Sequence, residues 1–133
     1  MNTKRFLIAG VAVAVWLMLY GFVVYGILLA DFWDSQGNAA MMRPENEQVM
    51  WAIMLSCLLQ GLALAFIFTK GYEGKGVGEG VRFGLLVAWF IAGLYLLFYA
   101  IQPWGEVGLV ASIATDGLMY VGAGIVLALL YRK

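Results

Sequence analysis

The chain has 133 residues, of which 64% are hydrophobic and 12% are charged, and its mean hydropathy is +0.90. Soluble domains average about 45–50% apolar and about 25% charged residues, so the composition excludes a soluble globular protein and indicates an integral membrane protein. The formal net charge is zero and only eight residues are basic, so nothing suggests a nucleic-acid partner. Since histidine is absent and Cys57 is the single cysteine, the sequence predicts no metal, no cofactor and no internal disulfide.

Four long apolar stretches predict an all-α integral membrane protein, a bundle of four transmembrane helices in one domain covering residues 1–133. The spans are expected at about residues 6–30, 49–69, 83–101 and 107–130. About 20 apolar residues, at about 1.5 Å per residue, cross the hydrocarbon core. The first stretch is longer than the roughly 7–15 apolar residues of a cleavable signal peptide, so we expect it to remain as an anchor.

The first connection, residues 31–48, is the longest polar stretch. Phe32 and Trp33 suggest a segment that lies against the membrane surface. Pro44 suits the first turn of a helix, so span two could begin before the bilayer and offer a docking surface. A short interfacial loop is the alternative.

Span two places small and polar residues at helical spacing on one face: Ala52, Ser56, Gln60 and Ala63. Gln60 then falls near mid-membrane. An unpaired amide in hydrocarbon is unfavourable by several kcal/mol on transfer scales, so we expect Gln60 to face another helix rather than lipid.

The second connection, residues 70–82, is basic and rich in glycine. Gly74-Lys75-Gly76 invites comparison with a phosphate-binding loop. No serine or threonine follows Lys75, however, and no strand precedes the loop, so a flexible turn is predicted instead.

Several segments together resemble a family of small, uncharacterised bacterial four-span membrane proteins. They are MNTKRF at 1–6, GILL at 26–29, RPE at 43–45, KGYEGKG at 70–76, EGVRFGLL at 79–86 and LYRK at 130–133. The resemblance extends over essentially the whole chain and implies a four-helix protein of the bacterial inner membrane. That family supplies no activity, substrate or catalytic residue to carry over, and Asp116 matches none of its motifs.

Span three places Ala88, Ala92, Tyr95 and Tyr99 on one side, an arrangement that we interpret as packing. Residues 102–106 then form a tight turn, because Pro103 and Gly105 stop the helix, and Trp104 suits the interfacial aromatic belt. Spans three and four are therefore expected to form an antiparallel hairpin, the second of two such hairpins in the bundle.

Span four contains Asp116, the only formal charge inside any apolar stretch. An aspartate at the centre of a spanning helix is unfavourable by about 2.5–3.5 kcal/mol on insertion scales, so it needs a compensating contact or a role. Gln60 is the expected partner. Ser112 and Tyr120 share the Asp116 face, since they lie four residues to either side of it. The candidate intramembrane polar site consists of Asp116, Gln60, Ser112, Ser56 and Tyr120.

This site has two interpretations. In the first, its residues form a hydrogen-bond network that fixes helix register, and the chain is a non-catalytic accessory or structural subunit of a larger membrane complex. Its partners are then the lipid bilayer and other membrane subunits or further copies of the chain. In the second, Asp116 and Gln60 bind a proton, a cation or a small polar solute in a small transporter or channel-like protein. An enzyme is disfavoured and no catalytic residue is predicted, because histidine is absent and no acid pair or serine-based triad is expected within reach of Asp116.

The basic residues predict the orientation. All but one of the eight lie at the termini or in the second connection, and Arg43 alone lies in the first. By the positive-inside rule, the N and C termini and the second connection are cytoplasmic, and the first connection faces the opposite side of a bacterial inner membrane.

Overall fold

The computed structural model describes residues 2–24, 27, 32, 47–102 and 105–131. This part of the chain is all-helical, as predicted. Its long helices are α1 (Thr3–Val23), α2 (Met50–Lys70), α3 (Val77–Ile101) and α4 (Glu106–Leu130). Each is long and apolar enough to cross a membrane. The expectations for most of the first connection, for residues 25–26 and 28–30 of span one, and for Pro103 and Trp104 fall outside the described residues.

Two helices start several residues before their predicted spans. Helix α1 starts at Thr3 because the side chain of Asn2 caps it, accepting a hydrogen bond from the backbone N–H of Arg5 at 3.1 Å. Helix α3 starts at Val77, so the second half of the predicted flexible connection is helical. The non-helical part of that connection is confined to residues 71–76.

Helix α1 packs against both α2 and α4, and α3 packs against α4. Glycines make these contacts close. A Cβ added to Gly61 of α2 would lie 2.8 Å from the backbone nitrogen of Ala14 in α1. In the α3–α4 pair, Gly80 lies directly against the backbone of Gly124, and Gly84 lies against that of Val121. Such backbone contact is the usual way in which helices associate in lipid.

The buried apolar residues come from α1, α2 and α4 and from the residue that follows α4. They are Ala9, Val13, Ala14 and Leu17, then Ala65 and Phe68, then Met119, Tyr120, Ala123 and Leu127, and finally Tyr131. The buried residues of α3 are Glu79, Gly80 and Gly84, all near its beginning. Helix α3 is thus attached along one side, and large side chains such as Trp89 and Phe90 are exposed.

Aromatic rings join the ends of three helices near the 71–76 loop. The ring of Phe68 in α2 meets that of Phe83 in α3 edge-on, with 5.3 Å between centroids. Tyr131, which follows α4, contacts Phe68 at 6.2 Å and Tyr72 of the loop at 5.1 Å. These edge-to-face geometries are the favoured ones for aromatic pairs, so the cluster holds this end of the bundle together.

Candidate functional site

The middle of α4 receives hydrogen bonds from α1. The hydroxyl of Tyr20 donates to the backbone carbonyl of Thr115 at 2.5 Å, and the indole N–H of Trp16 donates to the carbonyl of Met119 at 2.8 Å. Both donors would be unsatisfied if they faced hydrocarbon. Helix α1 is therefore held to α4 by two polar contacts as well as by apolar packing.

Asp116 accepts a hydrogen bond from the hydroxyl of Tyr95 in α3. The aspartate is only 6% exposed. Both members of the Asp116–Tyr95 pair make further interactions. The aspartate that stands out in the sequence is therefore buried and hydrogen-bonded to a tyrosine of α3.

Gln60 bonds to Ser56 and Tyr120 rather than to Asp116, which differs from the expected pairing. Its amide nitrogen donates to the Ser56 hydroxyl at 2.9 Å, and its amide oxygen accepts from the Tyr120 hydroxyl at 3.0 Å. Tyr120 lies one helical turn from Asp116 on the same face of α4. Its hydroxyl donates to the Gln60 amide oxygen, so that oxygen is satisfied, whereas one of the two amide hydrogens remains for another acceptor.

The five predicted site residues thus fall into two sets. Ser56, Gln60 and Tyr120 form one continuous hydrogen-bonded chain from α2 to α4. Asp116 pairs with α3, and Ser112 is buried one turn before it on α4. The exposure of the five residues also differs: Ser56 is exposed and Gln60 is half-buried, whereas Tyr120, Asp116 and Ser112 are buried.

Sequence reasoning missed three members of the network, namely Trp16, Tyr20 and Tyr95. Their rings fit a packing interpretation, because aromatic residues are common in apolar spans. The sequence feature that could have identified them is the polar group of each side chain, because an indole N–H or a phenolic hydroxyl deep in a span needs an acceptor. In α4 those acceptors are two backbone carbonyls and one carboxylate.

A second polar site orders the 71–76 loop. The carboxylate of Glu79, which is 8% exposed, accepts the backbone N–H of Glu73 at 2.7 Å and that of Lys75 at 2.9 Å. Gly74 and Gly76 have φ values of 74° and 80°, a region that favours glycine. The Glu79 carboxylate therefore accepts backbone N–H groups of the kind that bind the phosphate in a phosphate-binding loop.

The exposed face of this loop carries an ion pair between Glu73 and Lys75, with 2.6 Å between oxygen and nitrogen. The hydrogen bond and the charge of Lys75 lower the pKa of the Glu73 carboxyl, and Arg82 contributes a smaller effect in the same direction. Because the pKa is lowered, the pair persists as the pH falls through the usual range of a glutamate. It is lost only below the lowered pKa.

Two shallow apolar depressions lie on the outer surface of the bundle. One is lined by Leu7, Ile8, Val11 and Ala12 of α1, and the other by Leu86, Trp89, Phe90, Gly93 and Leu94 of α3. Neither is lined by a residue of the polar site around α4.

Comparison with known proteins finds no family model, no curated protein and no solved structure that matches this chain. Its function is therefore inferred from the geometry of the residues described above.

Proposed function

We propose that this chain is a non-catalytic accessory or structural subunit of a larger membrane complex, and that it contacts its partner through the face of α2 bearing Ser56 and Gln60. The observation that carries the proposal is the exposure of Ser56 inside an apolar helix, one turn from its midpoint. Its neighbours Met54, Leu55 and Leu59 are also exposed. A hydroxyl and an amide at this depth favour a hydrogen-bonding side chain from another transmembrane helix over hydrocarbon.

The Ser56–Gln60 pair has donors to spare. Gln60 has two amide hydrogens and Ser56 has one hydroxyl hydrogen. One of the Gln60 hydrogens is donated to the Ser56 oxygen. Among the described residues, the other two hydrogens have no acceptor. Ala52 and Ala63 lie on the same helical face, so a partner backbone can approach closely enough to supply acceptors.

The proposed setting is a bacterial inner membrane, with both termini and the 71–76 loop in the cytoplasm and with α1–α2 and α3–α4 as antiparallel hairpins. The asymmetry of the basic residues supports this orientation. The contacts support the hairpins: Phe6 meets Phe66 while Gly10 meets Leu62, so α2 runs against the direction of α1. In the other pair, Gly80 meets Gly124 and Gly84 meets Val121, which supports the same antiparallel arrangement of α3 and α4.

Native mass spectrometry of the protein extracted gently from its own membranes tests the proposal. We expect the wild type to emerge with a fixed set of other subunits. Ser56→Leu should lose that association, because a leucine covers the donors of Gln60 while leaving the core unchanged. Ala100→Leu is the matched control, since it also places leucine at an exposed small residue, and it should retain the partner. A wild type that emerges alone or only with further copies of itself contradicts the proposal, as does a Ser56→Leu variant that keeps its partner.

A small transporter or channel-like protein is the second candidate, favoured by the buried Asp116 carboxylate and its tyrosine hydroxyl partner. A carboxyl in such a position can hold a proton or a cation. Proteoliposome flux distinguishes the two functions. A transporter requires that Asp116→Asn abolish flux while the protein remains folded, whereas an accessory subunit shows no flux in either form.

A further inference from the structure

The outer face of α3 carries a cation beside an apolar depression. At 100° per residue, Arg82, Leu86, Trp89 and Gly93 fall within a sector of about 60° on the helix. Trp89 is 76% exposed, and Arg82 is exposed as well. A Cβ added to Gly93 would meet no atom within 4 Å, so the glycine leaves a notch in this face.

The acids nearest to Arg82 are engaged elsewhere. Glu79 turns inward and accepts two backbone N–H groups of the 71–76 loop. Glu73 pairs with Lys75 at 2.6 Å, which is the one ion pair among the described residues. Arg82 attracts the Glu73 carboxylate only weakly and forms no ion pair among the described residues, so its guanidinium can bind an anion from outside the chain.

We propose that this face of α3 binds an anionic phospholipid, with the phosphodiester on Arg82 and one acyl chain in the depression that contains Trp89 and Gly93. Arg82 lies near the beginning of α3, where a long side chain reaches the headgroup layer. Its planar fork matches two oxygens of a phosphodiester. The stretch from Arg82 to Gly93 spans about 16 Å at 1.5 Å per residue, comparable with most of an extended acyl chain. A choline lipid brings its own cation and is disfavoured.

Lipid retention in native mass spectrometry tests this site, which does not depend on the accessory function proposed above. The purified protein is given phosphatidylglycerol and phosphatidylcholine with identical acyl chains at equal concentration. We expect phosphatidylglycerol to be retained preferentially, and Arg82→Gln to lower its retention about fivefold, the effect of one basic residue at an anionic membrane surface. Lys70→Gln is the control, because it removes an exposed cation from the same end of the bundle, and it should leave retention unchanged.

A second variant tests the acyl chain. Gly93→Leu fills the notch, keeps Arg82 and adds a side chain in open space, so it should fold normally and still lower phosphatidylglycerol retention. An unaffected Gly93→Leu variant would show that only the phosphate is recognised and would overturn the lipid proposal. Equal retention of the two lipids by the wild type, or equal losses in Arg82→Gln and Lys70→Gln, would overturn it too, because general surface charge would then account for the binding.

Discussion

At the scale of single residues, Asp116 shows what the sequence can and cannot predict. Its need for a polar partner follows from its position in an apolar stretch. The identity of that partner does not, because it depends on how α3 and α2 are rotated about α4. Close contact at Gly80 and Gly84 sets the rotation of α3 and places Tyr95 beside the carboxylate. Tyr120 of α4 takes the amide oxygen of Gln60.

Removing the Tyr95 hydroxyl should destabilise the bundle. For Tyr95→Phe we expect a loss of about 0.5–2 kcal/mol in the free energy of unfolding, the range of hydrogen bonds between membrane helices. The measurement is reversible unfolding in mixed detergent micelles. Tyr99→Phe, one turn further along α3, is the matched control. It should have little effect, because Tyr99 makes no hydrogen bond among the described residues.

A double-mutant cycle assigns the effect to the pair. Tyr95→Phe should cost less in the Asp116→Asn background than in the wild type, because the charge-assisted bond is then already weakened. Additive losses would mean that the two side chains stabilise the bundle independently.

At the scale of helices, glycine contacts decide the packing. The small residues of α4, Gly117, Gly124 and Ala128 among them, predict a face for close approach, and α3 packs against that face. Gly80 and Gly84 complete the contact from α3, although the sequence places Gly80 in a flexible connection. Glycine-rich loops and glycine-rich helix contacts have similar composition, so only the packed structure distinguishes them.

Alanine substitution should separate packing glycines from exposed ones. In Gly84→Ala the new Cβ would lie 2.5 Å from the Cα of Val121, so α3 and α4 must move apart. We expect a loss of about 1–3 kcal/mol, as for other overpacked sites. Gly93→Ala meets no neighbouring atom and should be neutral or stabilising, because alanine favours the helix. Thermal unfolding of both variants in one detergent makes the comparison; a Gly84→Ala protein as stable as Gly93→Ala would contradict the contact.

The order of the 71–76 loop should depend on the charge of Glu79. A glutamine has one acceptor oxygen instead of two, so Glu79→Gln loses a charge-assisted hydrogen bond to a loop amide. We expect trypsin to cut after Lys75 about tenfold faster, the equivalent of roughly 1.5 kcal/mol. Glu73→Gln removes the exposed ion pair but keeps both bonds of Glu79, and should change the rate much less. Equal acceleration in the two variants would assign loop order to the ion pair instead.

At the scale of the whole molecule, the sequence predicts the helices well and their arrangement poorly. Hydropathy and length are enough to identify four potential spans. They do not identify which helices touch, because side chains that face lipid are as apolar as those that face the core. The central place of α4 and the peripheral attachment of α3 follow from glycine contacts and a few polar side chains, which leave little trace in a hydropathy profile.

Cysteine labelling tests the proposed orientation. In a Cys57→Ser background, Lys75→Cys should react with a membrane-impermeant maleimide in inverted vesicles and remain unlabelled in intact spheroplasts, because the positive-inside rule puts this loop in the cytoplasm. Gln36→Cys in the first connection should show the reverse pattern. Labelling of Lys75→Cys from outside the spheroplasts would show that the topology is opposite to the proposed one.

The contacts of α1 with α4 determine when the fold can be completed during biosynthesis. Trp16 and Tyr20, near the start of the chain, donate to carbonyls in its last helix. While the ribosome produces the two intervening helices, neither donor has its final acceptor. The native arrangement is therefore reached only after α4 has left the insertion machinery. Until then, the indole N–H of Trp16 and the hydroxyl of Tyr20 must bond to lipid, water or an insertion factor.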